Sequence, residues 1–273
     1  GLYAGGMLTT SDTFHTWATL AAIEALLVAT YATVRIDQTS TWIATGLGTA
    51  ALGLLAAAFP TEPINLIRAT GPAGAALLAA WALLTITQQP ERVALWRWPS
   101  LALAQTALAI AATLAVANLD PTPTAGTLAA LTAWEALLFT TVATITTTKP
   151  ETIVYRWVGA GFCIAAYTAF VSWAGWDAGT VTVVTIGIGA ALSGIALAAF
   201  LLAQDHRITT MWLWPTAAVG QTALIGAGLY AGGMLTTSDT FHTWATLAAI
   251  EALLVATYAT VRIDQTSTWI ATG

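Results

Sequence analysis

Nine apolar runs follow one another along the chain, at Phe14 to Val34, Trp42 to Phe59, Ile64 to Ile86, Val93 to Leu119, Thr127 to Ile145, Ile153 to Ala174, Val181 to Ala203, Thr210 to Leu235 and Phe241 to Val261. Most are about 18 to 24 residues, the length at which an α-helix crosses a hydrocarbon core of roughly 30 Å. Gly1 to Leu8 repeats the end of the eighth run, and Trp269 opens a further one. The connectors are short, such as Asp120-Pro121-Thr122-Pro123-Thr124 and Gln204-Asp205-His206-Arg207. With nothing of folding size between the runs, each span is expected to pack on its sequence neighbours as an antiparallel hairpin. The fold class that follows is all-α integral membrane.

Composition removes the other classes. Apolar residues make up 57% of the chain and charged residues 8%, against about 45–50% and 25% in soluble domains. The net charge of −5 is spread over connectors without a basic stretch, so no nucleic-acid partner is expected. The single cysteine, Cys163, lies in an apolar run and reads as a small apolar side chain. Gly71-Pro72 interrupts the third run, which is read as one long helix kinked at Pro72, with Arg68 reaching outward toward Glu62.

Two levels of repetition organise these runs. Positions 228–273 repeat positions 1–46 letter for letter. The chain is therefore expected to hold one full repeat, 1–227, and the start of an identical one, 228–273, within a longer tandem array. Inside the repeat, Trp98-Pro99-Ser100 with Gln105-Thr106-Ala107-Leu108 recurs as Trp214-Pro215-Thr216 with Gln221-Thr222-Ala223-Leu224, at one constant shift. Glu24-Ala25-Leu26-Leu27 recurs as Glu135-Ala136-Leu137-Leu138, and the same offset carries Gly48 and Phe59 onto Gly159 and Phe170. About eight spans thus divide into two four-helix halves, about 9–122 and 123–235. They are expected to stack as a solenoid-like array in which each hairpin touches its neighbours. Four-span halves are parallel in the membrane, which weighs against the inverted repeats that one class of transporters uses.

Charge orients the spans. Seven of the eight basic residues, Arg35, Arg92, Arg97, Lys149, Arg156, Arg207 and Arg262, lie on alternate connectors or the adjoining helix ends, and the other face carries Arg68 alone. By the positive-inside rule the first face is cytoplasmic, with Asp12, Asp120 and Asp177 on the opposite side. Tryptophan falls at the same boundaries: Trp42, Trp96, Trp98, Trp157, Trp212, Trp214 and Trp269 near the basic face, Trp17, Trp173, Trp176 and Trp244 near the other. An interfacial belt accounts for them. Trp81 and Trp134 sit deeper, where helix packing is the favoured account and contact with a pigment or lipid the rival.

Few residues are placed to carry chemistry. Glu24, its copy Glu251, and Glu135 lie near mid-span, where an ionised side chain costs about 2.5–3.5 kcal/mol on insertion scales, so each must be neutral or paired. Gln105 precedes Glu135 by the same interval as Gln221 precedes Glu251. At about 1.5 Å per residue, the two members of each pair differ in depth by roughly 6 Å across adjacent antiparallel helices, a gap that long side chains bridge. A structural Gln–Glu hydrogen bond once per half is the first reading, and a proton or cation relay the second. Asp12 with His15, and Asp239 with His242, have helical spacing for two metal ligands, but Ser11-Asp12 reads as a helix N-cap and two ligands do not make a site. His206 stands alone in a loop. Gly189 with Ser193, Ala190 with Gly194, and Gly228 with Gly232 read as close helix contacts. No glycine loop, nucleophile elbow or cysteine cluster appears, so neither enzyme activity nor a cofactor is expected.

The repeated spans, the WRWPS and WLWPT segments and the TITQQPER and TTTKPET loops together resemble the very large prokaryotic multi-pass membrane proteins built of tandem helical-hairpin repeats. The resemblance covers the whole chain at the level of architecture and brings no catalytic residues. It implies a prokaryotic cell membrane as the location, with lipids, neighbouring repeats and further copies of the chain as partners. The functional expectation is a structural scaffold forming a ribbon, ring or tube wall. A channel or transporter using the glutamates and a lipid- or pigment-binding scaffold are the alternatives.

Overall fold

A computed structural model describes residues 10–58, 63–87, 90–147, 150–202 and 207–262. Gly1 to Leu8, Glu62, Lys149, His206 and the run opened by Trp269 lie outside the described residues. Ten helices follow in order: α1 (Thr10–Arg35), α2 (Gln38–Ala58), α3 (Pro63–Ile86), α4 (Glu91–Ala94), α5 (Arg97–Asn118), α6 (Pro121–Ile145), α7 (Thr152–Ala174), α8 (Ala178–Leu202), α9 (Arg207–Met234) and α10 (Thr237–Arg262). The described residues hold no strand. Among the described residues eight segments are long and apolar enough to cross a membrane, which marks the chain as an integral membrane protein. The eighth expected span, Thr210 to Leu235, folds as α9 but is not among the eight. Gln221 and the glycines at 220, 226, 228, 232 and 233 dilute its apolar character.

Prolines set the irregularities. The helix of α3 continues through Pro72, whose missing N–H leaves the Arg68 carbonyl without its helical donor, and the Arg68 side chain is exposed. The fourth span is not one helix from Val93 onward: α4 ends at Ala94 and α5 begins at Arg97. The ring of Pro99 would collide with the Leu95 carbonyl in a continuous helix, and the chain breaks at Leu95 and Trp96 instead. In α9 the corresponding Pro215 is tolerated inside the helix. The Met211 carbonyl that Pro215 cannot serve accepts a bond from Arg156 Nη1 at 3.5 Å.

Helix starts are fixed by side chains. Asp37 accepts the Thr39 N–H at 3.0 Å and the Ser40 hydroxyl at the head of α2. Asp177 accepts the Thr180 N–H at 3.0 Å and its hydroxyl at the head of α8. These bonds, the hydroxyl donors first, hold both carboxyls below the ordinary carboxylate range. At the head of α10 the cap is Thr236: its Oγ1 accepts the Asp239 N–H at 3.3 Å, and its hydroxyl donates to Asp239 Oδ2 at 2.7 Å. The aspartate of the Ser-Asp pair is thus the third residue of the helix, bonded to the Thr236 hydroxyl, rather than the cap. At its C-terminal end, α1 closes with the Asp37 N–H on the Ala32 carbonyl at 3.0 Å, and Ile36 takes the left-handed φ of 57° that glycine usually fills.

The described chain forms two compact units, Gly1–Tyr155 with Ala165–Trp173, and Arg156–Ile164 with Ala174–Gly273. In the first, α1 pairs with α2 and α3 with α5, while α6 lies against both α3 and α5. In the second, α8 pairs with α9, and α10 lies against both. The α3–α5–α6 cluster and the α8–α9–α10 cluster share their internal contacts. A Cβ added at Gly74 would stand 2.8 Å from Leu108 Cγ, and one at Gly189 would stand 2.8 Å from Leu224 Cγ. Thr124 Oγ1 donates to the Ala115 carbonyl at 3.0 Å, and Thr240 Oγ1 to the Ala231 carbonyl at 3.0 Å. These residues match across the shift that carries Trp98 onto Trp214, apart from the two glycines, which are one position nearer to each other. Small residues let the backbones approach closely, which is how helices associate where lipid removes the hydrophobic drive. Gly228 is also close-packed, against Trp244 and Leu247, whereas Gly194 and Gly232 face open space and are not contact points.

One expectation is corrected. Not every span packs closely on its sequence neighbour: α7 has no close helix pair among the described residues, although α1 with α2 forms one at the matching position of the repeat. Large side chains hold α6 and α7 apart. The Trp173 indole lies over Gly126, and the Tyr155 and Phe139 rings meet at 6.1 Å. At the α1–α2 contact the buried residues are small, with Ala18, Ala32, Ala44 and Thr41 all under a tenth exposed.

Candidate functional site: polar groups within the helix clusters

Glu135 is carried on α6 into the angle between α3 and α5, where it is 6% exposed. The Gln105 side chain on α5 is the polar group that faces its carboxyl. Gln105 Nε2 is buried and closes no hydrogen bond, so the two groups stand in close approach rather than in a fixed pair. Next to them lies an aromatic core. Trp81 is fully buried, with its ring centre 4.9 Å from Phe139 and 5.4 Å from Tyr155. Trp134 is partly exposed and donates from Nε1 to the Ala75 carbonyl at 3.1 Å, tying α6 to α3. Both deep tryptophans thus make contacts between helices.

The second cluster handles the same residues differently. Gln221 donates from Nε2 to Ser193 Oγ on α8 at 3.2 Å, and Gln221 and Glu251 line one recess of about 480 Å³ with Trp214 and Tyr258. The repeat puts Leu78 where the second cluster has Ser193, and Leu78 is fully buried without a polar atom to offer. Gln105 thus lacks a counterpart of the Ser193 hydroxyl. Glu24 is brought to neither glutamine and is exposed on α1.

A third polar group in the first unit gathers around Arg97, read from the sequence as a basic-face residue but not as a partner of Tyr155 and Glu151. Arg97 Nη2 lies 3.0 Å from the Tyr155 hydroxyl and 3.4 Å from Glu151 Oε1, with its guanidinium 4.7 Å over the Trp98 ring. The internal repeat sets Leu213 at the position of Arg97, so comparing the two halves could not point to it. Trp96 Nε1 donates to Thr33 Oγ1 at 2.9 Å, which brings the end of α1 and the start of α5 to one end of the unit. Trp42, Trp98, Trp157 and Trp214 are exposed, and Trp96 and Trp212 are half-buried.

A large apolar recess of about 710 Å³ opens between α1, α2, Leu77 and Leu103, with His15 and Trp96 in its wall. Asp239 is engaged by Thr236 at the head of α10, and His242, the copy of His15, is exposed in the next turn. Among the described residues no three histidine, cysteine or acidic side chains gather as a metal site would require. No protein-family model, curated protein or solved structure matches the chain.

Proposed function

We propose that the chain is a structural, membrane-embedded repeat scaffold, whose helix clusters stack as a solenoid into a ribbon, ring or tube wall in a prokaryotic cell membrane, basic loops toward the cytoplasm. The observation that carries it is the recurrence of one three-helix cluster, with the Gly74–Leu108 contact rebuilt as Gly189–Leu224 and the Thr124 bond rebuilt as that of Thr240. Around the retained Gln–Glu pair the polar neighbours vary, Ser193 against Leu78 and Arg97 against Leu213, while the packing contacts persist. A conduit would need the reverse, because its function lies in the polar groups.

Reconstitution in vesicles tests this against a channel or transporter. The scaffold predicts no proton or cation flux above that of empty vesicles. A flux that Glu135→Gln removes while the protein still inserts and folds would establish transport in its place.

The recess of about 710 Å³ favours a second reading, a scaffold that carries lipid, since its wall is apolar apart from His15, Thr19 and Trp96. Lipid retained by purified protein and lost on Gly48→Leu would support it.

A further inference from the structure

The two three-helix clusters differ most where the first is filled by aromatic rings. There Trp81 lies fully buried against Phe139 and Tyr155. The offsets that pair Gly74 with Gly189 and Thr124 with Thr240 set Ala196 in the place of Trp81 and Val255 in the place of Phe139. Both of these smaller residues line the recess of about 480 Å³ between α8, α9 and α10. Phe200 and Tyr258 stand where the first cluster has Thr85 and Val142. Their rings meet each other at 6.0 Å and, with Trp214, form aromatic wall around the recess. Polarity rises as bulk falls, because Ser193 takes the place of Leu78. Ser193 is 6% exposed, and its oxygen accepts from Gln221 Nε2 at 3.2 Å. The serine proton and the second amide N–H of Gln221 are then donors for a further acceptor.

We propose that this recess is a binding site for a membrane quinone, a flat carbonyl-bearing ring on an apolar chain, with its carbonyl oxygen accepting from Ser193 and Gln221. The ring takes the space that an indole and a phenyl ring fill in the first cluster, beside aromatic walls that favour stacking. Gln221 and Glu251 lie near mid-span, a depth at which hydrocarbon excludes a charged headgroup. An acyl chain brings no acceptor to the two donors, and a donor left unbonded in hydrocarbon costs free energy. A neutral ring carbonyl satisfies both conditions. Mostly apolar walls with a few convergent polar groups are the usual makeup of a small-molecule site. The recess is complete within α8, α9 and α10. Helix α1, which has the sequence of α10, pairs with α2 through its buried alanines Ala18 and Ala32. In a tandem array the helix after α10 is a copy of α2, so it covers the alanine side of α10, away from Glu251 and Tyr258. At the place of Tyr155 that copy has Ala271, which brings no ring to fill the recess. Quinone binding goes beyond the scaffold reading and does not depend on it: a flux in vesicles would remove the scaffold and leave the site standing.

The test equilibrates the full chain, held in lipid nanodiscs, with a radiolabelled naphthoquinone that carries one short prenyl chain. The expected result is saturable binding above that of protein-free discs. Ser193→Ala, which removes the hydroxyl without adding bulk, lowers the affinity about tenfold, as loss of one hydrogen bond to a ligand does. Ala196→Trp, which restores the indole that Trp81 holds in the first cluster, abolishes binding, and thermal unfolding no lower than that of the unaltered chain shows that the filled cluster is folded. A naphthalene bearing the same prenyl chain, with no carbonyl, binds severalfold more weakly. The absence of saturable binding, an affinity unchanged by Ser193→Ala, or binding that survives Ala196→Trp overturns the proposal. Equal binding of the prenylated naphthalene also overturns it, and makes the recess a groove for bilayer lipid.

Discussion

Glu135 faces Gln105 with the hydrophobic Leu78 on the third helix, so Glu135→Gln keeps an acceptor, adds donors and is expected to change thermal stability in detergent by less than about 1 kcal/mol, the scale of one interhelical hydrogen bond. Trp81 is different in kind. It fills the centre of the α3–α6 contact against Phe139 and Tyr155, and Trp81→Ala is expected to cost about 3–5 kcal/mol. Ile36 carries strain, since a β-branched residue holds φ at 57° where the α1 end requires the left-handed region. Ile36→Gly is expected to raise stability by about 1 kcal/mol, measured by the same thermal unfolding. Glu24, Glu135 and Glu251 were legible in the sequence as mid-span carboxyls. Their different surroundings were not, because one serine, Ser193, diverts Gln221 and its counterpart Leu78 cannot.

At the level of helices, apolar run lengths located the spans closely, and Pro99 explains the one that splits. What the sequence could not reveal is which face each helix buries. The sequence shared by α1 and α10 is apolar all round, so no stripe selects a side, and the neighbour decides: α2 takes the alanine side and α8 with α9 the Leu-Glu-Leu-Tyr side. Close approach also follows from single glycines. Gly74→Ala and Gly189→Ala place a Cβ 2.8 Å from a leucine Cγ and are each expected to destabilise by about 1–3 kcal/mol, whereas Gly53→Ala, with nothing within 4 Å, stabilises its helix by up to about 1 kcal/mol. Leu108→Ala should partly rescue Gly74→Ala. The caps at Asp37 and Asp177 bring a pH dependence. Their carboxyls titrate lower in the folded chain than in the unfolded one, so the stabilisation is whole above the unfolded value of about 3.9 and is lost as pH falls through the lowered folded value. Asp37→Asn keeps an N-cap and should remove its share of the acid sensitivity of helix content, followed by circular dichroism.

For the whole molecule, the α3–α5–α6 and α8–α9–α10 clusters share the Gly74/Gly189 and Thr124/Thr240 contacts, whereas α6 and α7 do not pair as α1 and α2 do, and there Tyr155 stands at the position of the buried Ala44. That substitution of bulky for small residues was visible letter by letter, but its effect on spacing depends on where each ring points. The topology predicts that cysteines placed at Arg35, Arg92 and Arg207 label from one side of the membrane and those at Asp120 and Asp177 from the other; a mixed pattern would break the span assignment. If these clusters are modules of the continuous intramembrane scaffold we propose, electron cryomicroscopy of a chain carrying several consecutive copies of the 1–227 repeat, held in a bilayer, will show it. The expected image has successive repeats related by one constant rotation and translation, advancing by roughly 40 Å for four hairpins about 10 Å apart. Repeats placed at irregular steps, or folded back around a central water-filled passage lined by Glu135, would contradict it.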